Sequence, residues 1–125
     1  MSSPYRATPQ LGCPRCRAFL DQRSAGQLRV LGCAPCRGMW LAHESVTRFL
    51  VASDEELETV SLADTGTFRP EPTMLVHPRL CPRCVRPMKR ESLSRARVTV
   101  DLCPAHGMWF DAGELRAFVA ALRDA

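Results

Sequence analysis

Apolar positions follow two periods along this chain, and the same succession of periods occurs twice. Leu28, Val30 and Leu31 lead into Cys33, while Val98, Val100 and Leu102 alternate with polar residues before Cys103. A period of two places such side chains on one face of a pleated strand. A weaker strand signal precedes each, Ala18 to Leu20 in the first copy and Met88 to Leu93 in the second. Ala25-Gly26 and Ser94-Arg95 supply turns that would close each pair into a hairpin. Farther on the period becomes helical. Leu115, Phe118, Val119 and Leu122 share one helix face, and Val46, Phe49 and Leu50 repeat it, with Leu57 extending the stripe toward Thr59. Asp111 and Glu114 have the form of a capping box before the second helix. Ala42 and Ser45 stand in their places before the first, so that helix lacks the cap. Pro70, Pro72 and Pro78 stop regular structure between the copies.

Pairs of potential metal ligands bracket each hairpin. Cys13-Pro14-Arg15-Cys16 is answered by Cys33-Ala34-Pro35-Cys36, and Cys81-Pro82-Arg83-Cys84 by Cys103-Pro104-Ala105-His106. Two short knuckles, each placing two ligands on one ion, make a tetrahedral structural metal site. Site one is therefore Cys13, Cys16, Cys33 and Cys36; site two is Cys81, Cys84, Cys103 and His106. The repeat continues past the ligands: Gly38-Met39-Trp40-Leu41 matches Gly107-Met108-Trp109-Phe110. Such extended self-similarity marks a duplication. It divides the chain into a tail over 1–10, a module over 11–52, an acidic, proline-containing connector over 53–78 and a second module over 79–125.

A module of about 40 residues is near the size at which an apolar core alone fails to hold a fold, so a metal or disulfides must help. All seven cysteines are needed for the two ligand sets. An odd count suits a disulfide framework poorly, and Met1 to Gly12 has no apolar run of signal-peptide length. Reduced thiols and a cytoplasmic chain are the expectation, with no membrane partner. Zinc fits sulfur and imidazole donors, so two Zn²⁺ ions are expected; iron is the alternative for a four-sulfur set. Four protein ligands leave no open position for water or substrate, which argues against an enzyme and against a small-molecule substrate.

The formal charge of +4 suggests an affinity for nucleic acid until the ligands are counted. Two dications with seven thiolates lower the net to about +1. What remains is distribution: Arg15, Arg17 and Arg37 surround site one, and Arg79, Arg83, Arg86, Lys89, Arg90, Arg95 and Arg97 crowd site two. These read first as solvated surface. Trp40 and Trp109 read as core packed over the knuckles rather than as base-stacking residues, and Met39 and Met108 likewise. His43 and His77 have no partner at ligand spacing and read as surface residues.

On these residues the chain resembles the bacterial zinc-ribbon proteins grouped with the transcription factor IIB-type zinc ribbon. The likeness covers roughly Leu11 to Leu50 and Leu80 to Leu122. Module two follows the pattern through Asp111, Gly113 and Glu114, and module one departs after Trp40. The resemblance implies a small metal-stabilised α+β fold of two tandem zinc ribbons, each a knuckle, a β-hairpin, a knuckle and a C-terminal helix. It points by analogy to a transcription-related role. The function expected is a non-enzymatic zinc-binding adaptor that contacts protein or nucleic acid. The alternative is a thiol/zinc redox sensor that loses metal on oxidation.

Overall fold

The computed structural model describes residues 11–61, 78–93 and 98–123. Among the described residues six strands and three helices follow in order: β1 (Asp21–Ala25), β2 (Leu28–Gly32), β3 (Met39–Ala42), α1 (Val46–Val51), α2 (Asp54–Ser61), β4 (Lys89–Leu93), β5 (Val98–Cys103), β6 (Gly107–Phe110) and α3 (Glu114–Arg123). A 3₁₀ turn, His43–Ser45, joins β3 to α1. The strands form one antiparallel sheet in the order β1-β2-β3-β6-β5-β4.

The hairpin β1–β2 forms where Gly26, at φ 61, supplies the left-handed residue of a two-residue turn. Its first strand starts at Asp21, later than the apolar signal over Ala18 to Leu20. Those three residues serve the knuckle instead: Cys13 N–H donates to the Ala18 carbonyl at 2.7 Å and Leu20 N–H to that of Leu11 at 2.8 Å. β1 is an edge strand with mostly exposed side chains, so it carries no apolar alternation. The counterpart β4–β5 matches the expected strands, and its Ser94-Arg95 turn lies outside the described residues.

The Gly-Met-Trp segments, read from sequence only as core, are the third strand of each half, and they join the halves. β3 pairs with β6, setting Met39 opposite Phe110, Trp40 opposite Trp109 and Leu41 opposite Met108. Under the repeat offset of 69 residues, from Trp40 to Trp109, the first and third of these pairs exchange and the tryptophan pair maps onto itself. A pseudo-twofold axis thus passes between the indoles. Gly38 makes their approach possible, because a Cβ there would run into the Trp109 ring.

Alternation along the strands sends two cores to opposite faces. Met39, Leu41, Val98, Val100 and Phe110 meet Phe49, Leu115, Phe118 and Val119 of the helices. Phe110 and Phe118 stack tilted with ring centroids 5.1 Å apart. α2 lies against β1 and β2, α3 against β5, and α1 beside α3. On the other face Trp40 and Trp109 pack among Cys13, Cys33, Cys81 and Cys103. Both ligand sets therefore sit on the tryptophan side of the sheet.

Two helix expectations change. The first-half stripe breaks at Ala52, which is extended (φ −72, ψ 154), so Leu57 belongs to a separate helix and Leu50 stays 38% exposed. α2 carries the capping box of the described residues: Glu56 N–H donates to Ser53 Oγ at 3.1 Å, and Ser53 N–H donates to Glu56 Oε1 at 3.1 Å. Asp111, expected to cap α3, instead turns its carboxylate inward, and only its backbone carbonyl accepts from Glu114 N–H, at 3.0 Å.

Candidate metal centres

Each knuckle is a tight loop that presents sulfur to its own backbone. In three of them the residue after the second cysteine takes a left-handed conformation: Arg17 (φ 67), Arg37 (φ 64) and Val85 (φ 62). Their N–H groups donate back to the carbonyls of Cys13, Cys33 and Cys81 at 2.8 to 2.9 Å. A β-branched valine at positive φ is costly, by about 1–2 kcal/mol, so the closed loop must hold it there. The fourth knuckle is one residue shorter. His106 N–H reaches Cys103 O at 3.2 Å and the chain enters β6 directly at Gly107. The sequence shows the same difference: Arg37 stands between Cys36 and Gly38, whereas Gly107 follows His106 directly.

The eight predicted ligands fall into two clusters, Cys13, Cys16, Cys33 and Cys36, and Cys81, Cys84, Cys103 and His106. Within each, the donor atoms lie within 4.8 Å of one another. A tetrahedral ion bound at about 2.3 Å to sulfur and about 2.0 Å to nitrogen requires donors about 3.5–3.8 Å apart. Cys13 and Cys36 Sγ are 3.7 Å apart, Cys84 and Cys103 Sγ 3.8 Å, and His106 Nδ1 lies 3.8 Å from Cys81 Sγ and 3.6 Å from Cys103 Sγ. Cys16 and Cys33 Sγ are closer, at 3.2 Å. Both donor sets fit a metal ion.

The electrostatics point the same way. Arg15 and Cys16 N–H donate to Cys13 Sγ, and Arg83 N–H to Cys81 Sγ, each at 3.3 Å. Such bonds favour thiolate. The bond with Cys13 draws Cys36 down to about 5, and sharing it drives Cys13 far up. Burial pushes Cys33 up to about 12 and Cys81 up to about 11. Burial also opposes ionisation of Cys103, but the Ala105 N–H and the His106 side chain and N–H outweigh it and bring Cys103 to about 6. One sulfur in each cluster is thus readied as thiolate while buried neighbours resist ionisation. A dication removes that resistance, because thiolate is the form that binds it.

Around the clusters several residues differ from their sequence reading. His43 is half-buried rather than free on the surface. Its Nε2–H donates to the Cys103 carbonyl at 2.8 Å, and its backbone N–H donates to the His106 carbonyl at 3.1 Å. A histidine of the first half thereby braces the second knuckle of the other. His77 lies outside the described residues. Trp40, Trp109 and Met39 are buried as expected, and Met108 is half-buried.

Arg79 and Arg90 are not part of an exposed basic surface. Arg79 Nη1 donates to Asp101 Oδ2 at 3.0 Å and to Asp111 Oδ1 at 2.9 Å, and Arg90 Nη1 to Asp101 Oδ1 at 2.9 Å. Trp109 Nε1–H donates to Asp111 Oδ1 at 3.2 Å, and Arg15 of the first knuckle comes within 3.8 Å of it. Burial raises the Asp101 carboxyl above its ordinary range against the pull of Arg79 and Arg90. Asp101 was legible in principle: two residues before a buried ligand, it must share that ligand's strand face. Arg17, Arg37, Arg83, Arg86 and Lys89 remain exposed, while Arg95 and Arg97 lie outside the described residues.

Fold and site together define a small α+β protein with two cysteine-rich clusters, each able to hold a metal ion. No protein-family model, curated protein or solved structure matches the chain.

Proposed function

We propose that this chain is a non-enzymatic zinc-binding adaptor made of two tandem zinc ribbons with a Zn²⁺ ion in each. The observation that carries the reading is the pair of complete donor sets, four sulfurs in one and three sulfurs with an imidazole in the other. A full set of four protein ligands leaves no open position, which is the mark of a structural rather than catalytic site. The mixed sulfur and nitrogen set favours zinc over iron. Its contribution is to hold the knuckles, whose binding free energy is folding free energy in modules of this size. The partner is a protein or nucleic acid, met by exposed knuckle residues such as Arg17, Arg37, Arg86, Phe19 and Val85. The family resemblance points to a transcription-related partner. Reduced thiols suit a cytoplasmic protein, and among the described residues no helix is long and apolar enough to cross a membrane.

Elemental analysis of the purified full chain tests the metal. Two zinc ions per chain are expected; iron, or fewer than two ions, would overturn the assignment. Fluorescence anisotropy with DNA and RNA over a salt series then sorts the partner, since phosphate contacts give a steep salt dependence. Absence of such binding leaves protein contacts.

Cys16 favours a second reading. It is the exposed cysteine of the set and lies 3.2 Å from Cys33 Sγ. A peroxide oxidant taking two electrons from these thiolates would form their disulfide, be reduced to water, and release the ion. Zinc retention by the parent chain under peroxide that oxidises ordinary thiols would eliminate this sensor reading.

A further inference from the structure

The pseudo-twofold axis relates the paired strands and knuckles of the two halves, and at one place the matched residues differ in character. Strand pairing sets Arg90 opposite Asp101 in the second hairpin and Gln22 opposite Leu31 in the first. Asp101 lies beside Trp109 as Leu31 lies beside Trp40. Arg79 and Leu11 each accept, through their carbonyls, the closing hydrogen bond of the first knuckle, from Met88 and Leu20. Asp111 and Ala42 each follow their tryptophan by two residues. The four charged groups of the buried network thus correspond to Leu11, Gln22, Leu31 and Ala42.

Where the second half holds that network, the first half has a pocket of about 250 Å³. Its apolar walls are Leu11, Leu31, Trp40 and Ala42, and Gln22, Arg29 and Arg83 also line it. Arg83 is the counterpart of Arg15, the third residue of each Cys-Pro-Arg-Cys. Each arginine crosses to the opposite half. Arg15 approaches the Asp111 carboxylate at 3.8 Å, whereas no carboxylate is among the residues around the pocket that Arg83 lines.

We propose that this pocket binds a small organic acid, a monocarboxylate on an apolar body of about the size of one aromatic ring. The carboxylate would take at Arg83 the place that Asp111 takes at Arg15, and the body would lie against Trp40. Size supports that class. An apolar cavity of about 150 Å³ accepts benzene, while drug-sized ligands need about 300 Å³ or more. Charge supports it too, because two arginines, Arg29 and Arg83, line the pocket and carboxylate is the preferred planar partner of a guanidinium. The site goes beyond the adaptor reading and does not depend on it.

Phenylacetate is the probe, phenethylamine the control of opposite charge, and the readout is the pair of indole N–H resonances of the metal-loaded full chain. Phenylacetate should shift the Trp40 resonance saturably and leave that of Trp109, which is tied to Asp111, in place; phenethylamine should shift neither. Arg83→Ala should weaken phenylacetate roughly tenfold, the scale of one charge-assisted hydrogen bond. Ala42→Asp should abolish binding by putting a carboxylate where the ligand's would sit. Any of four results would overturn the proposal: no Trp40 shift at about 10 mM, a weak limit for so small a ligand; equal response to the amine; unchanged affinity in Arg83→Ala; or a capped Phe-Asp peptide binding far more tightly than the free acid, which would make the pocket a peptide site.

Discussion

Beside Trp109 the second half buries two carboxylates between guanidinium groups, whereas beside Trp40 the first half has Leu31, Ala42 and a pocket. The strand pairing on both sides is the same. The divergence is therefore one of side chains on a common frame, and a common frame makes their effects comparable. A buried ion network is poor evidence of stability, since desolvation offsets most of the attraction. Its directional bonds do select one arrangement. Asp111 is hydrogen-bonded to Arg79 of its own half and approached at 3.8 Å by Arg15 of the other, so the network extends across the axis to the first knuckle of the other half. Leu11, Gln22, Leu31 and Ala42 carry no charge with which to build such a network, and beside them a cavity remains.

The sharpest way to break the comparison is to cut each side at the same place. Arg79→Ala would leave Asp101 buried with Arg90 and Asp111 with only the longer contacts to Arg15 and Arg90, and should destabilise the metal-loaded protein by about 3–5 kcal/mol. Leu11→Ala, at the corresponding position, removes a half-buried aliphatic chain beside an existing pocket and should cost about 1–2 kcal/mol. Urea denaturation of both variants gives the ratio. Equal losses would mean that the ion network contributes nothing beyond its packing.

Much of this was readable from sequence, and what was missed has physical causes. The ligand sets were legible because metal chelation fixes residue type and spacing together, as in Cys13-x-x-Cys16. Strands β2 and β5 were legible because one face is buried, so Val30 and Val100 had to alternate with polar neighbours. Strand β1 was misplaced because the apolar residues before it, Ala18 to Leu20, serve the knuckle, and Asp21–Ala25 bury too little to leave a pattern of their own. Strands β3 and β6 were hidden because both faces of Met39-Trp40-Leu41 are buried, one by helices and one by knuckles, which removes alternation. Their pairing, and hence the single sheet, is a long-range fact that no local pattern carries. Asp111 had the right neighbours for a cap, but a buried guanidinium competes for a carboxylate more strongly than a backbone N–H does. The Ser53-x-x-Glu56 box was equally visible and lay in a segment read as connector.

The two halves also start their helices differently, which gives a smaller test. Ser53→Ala deletes the hydroxyl that accepts from Glu56 N–H and should destabilise by about 1 kcal/mol, the usual worth of an N-cap. Because α2 packs on β1 and β2, the loss should appear as faster amide exchange in that helix and hairpin before it appears elsewhere. Asp111→Ala occupies the superficially similar place in the second half yet should behave like Arg79→Ala, because its carboxylate is tied to Arg79 and Trp109 rather than to a helix N–H. If Ser53→Ala and Asp111→Ala proved alike in size and location, the reading of Asp111 as a network residue would fail.

Glu114 offers the finest distinction, through pH. Its Oε2 accepts from Thr99 N–H at 3.2 Å, and its Oε1 is buried with no hydrogen-bond partner among the described residues. Burial raises the carboxyl above its ordinary 4.5, against the help of Thr99. A raised folded-state value means that the native protein holds this proton more tightly than the unfolded chain does. Its stabilising contribution is therefore complete below 4.5 and is lost as pH rises through the folded value. Glu114→Gln removes the titration and keeps an acceptor for Thr99. The difference in unfolding free energy between variant and parent should move in the variant's favour as pH rises from about 4.5 toward neutrality. Taking the difference cancels the pH dependence of the metal clusters, which both proteins share. Ser45 stands at the same place in the first half and has nothing to titrate, so Ser45→Ala should give a difference independent of pH. A flat profile for Glu114→Gln would mean that its carboxylate is as well solvated as the hydroxyl it is compared with, and that the second half confines its buried charge to Arg79, Arg90, Asp101 and Asp111.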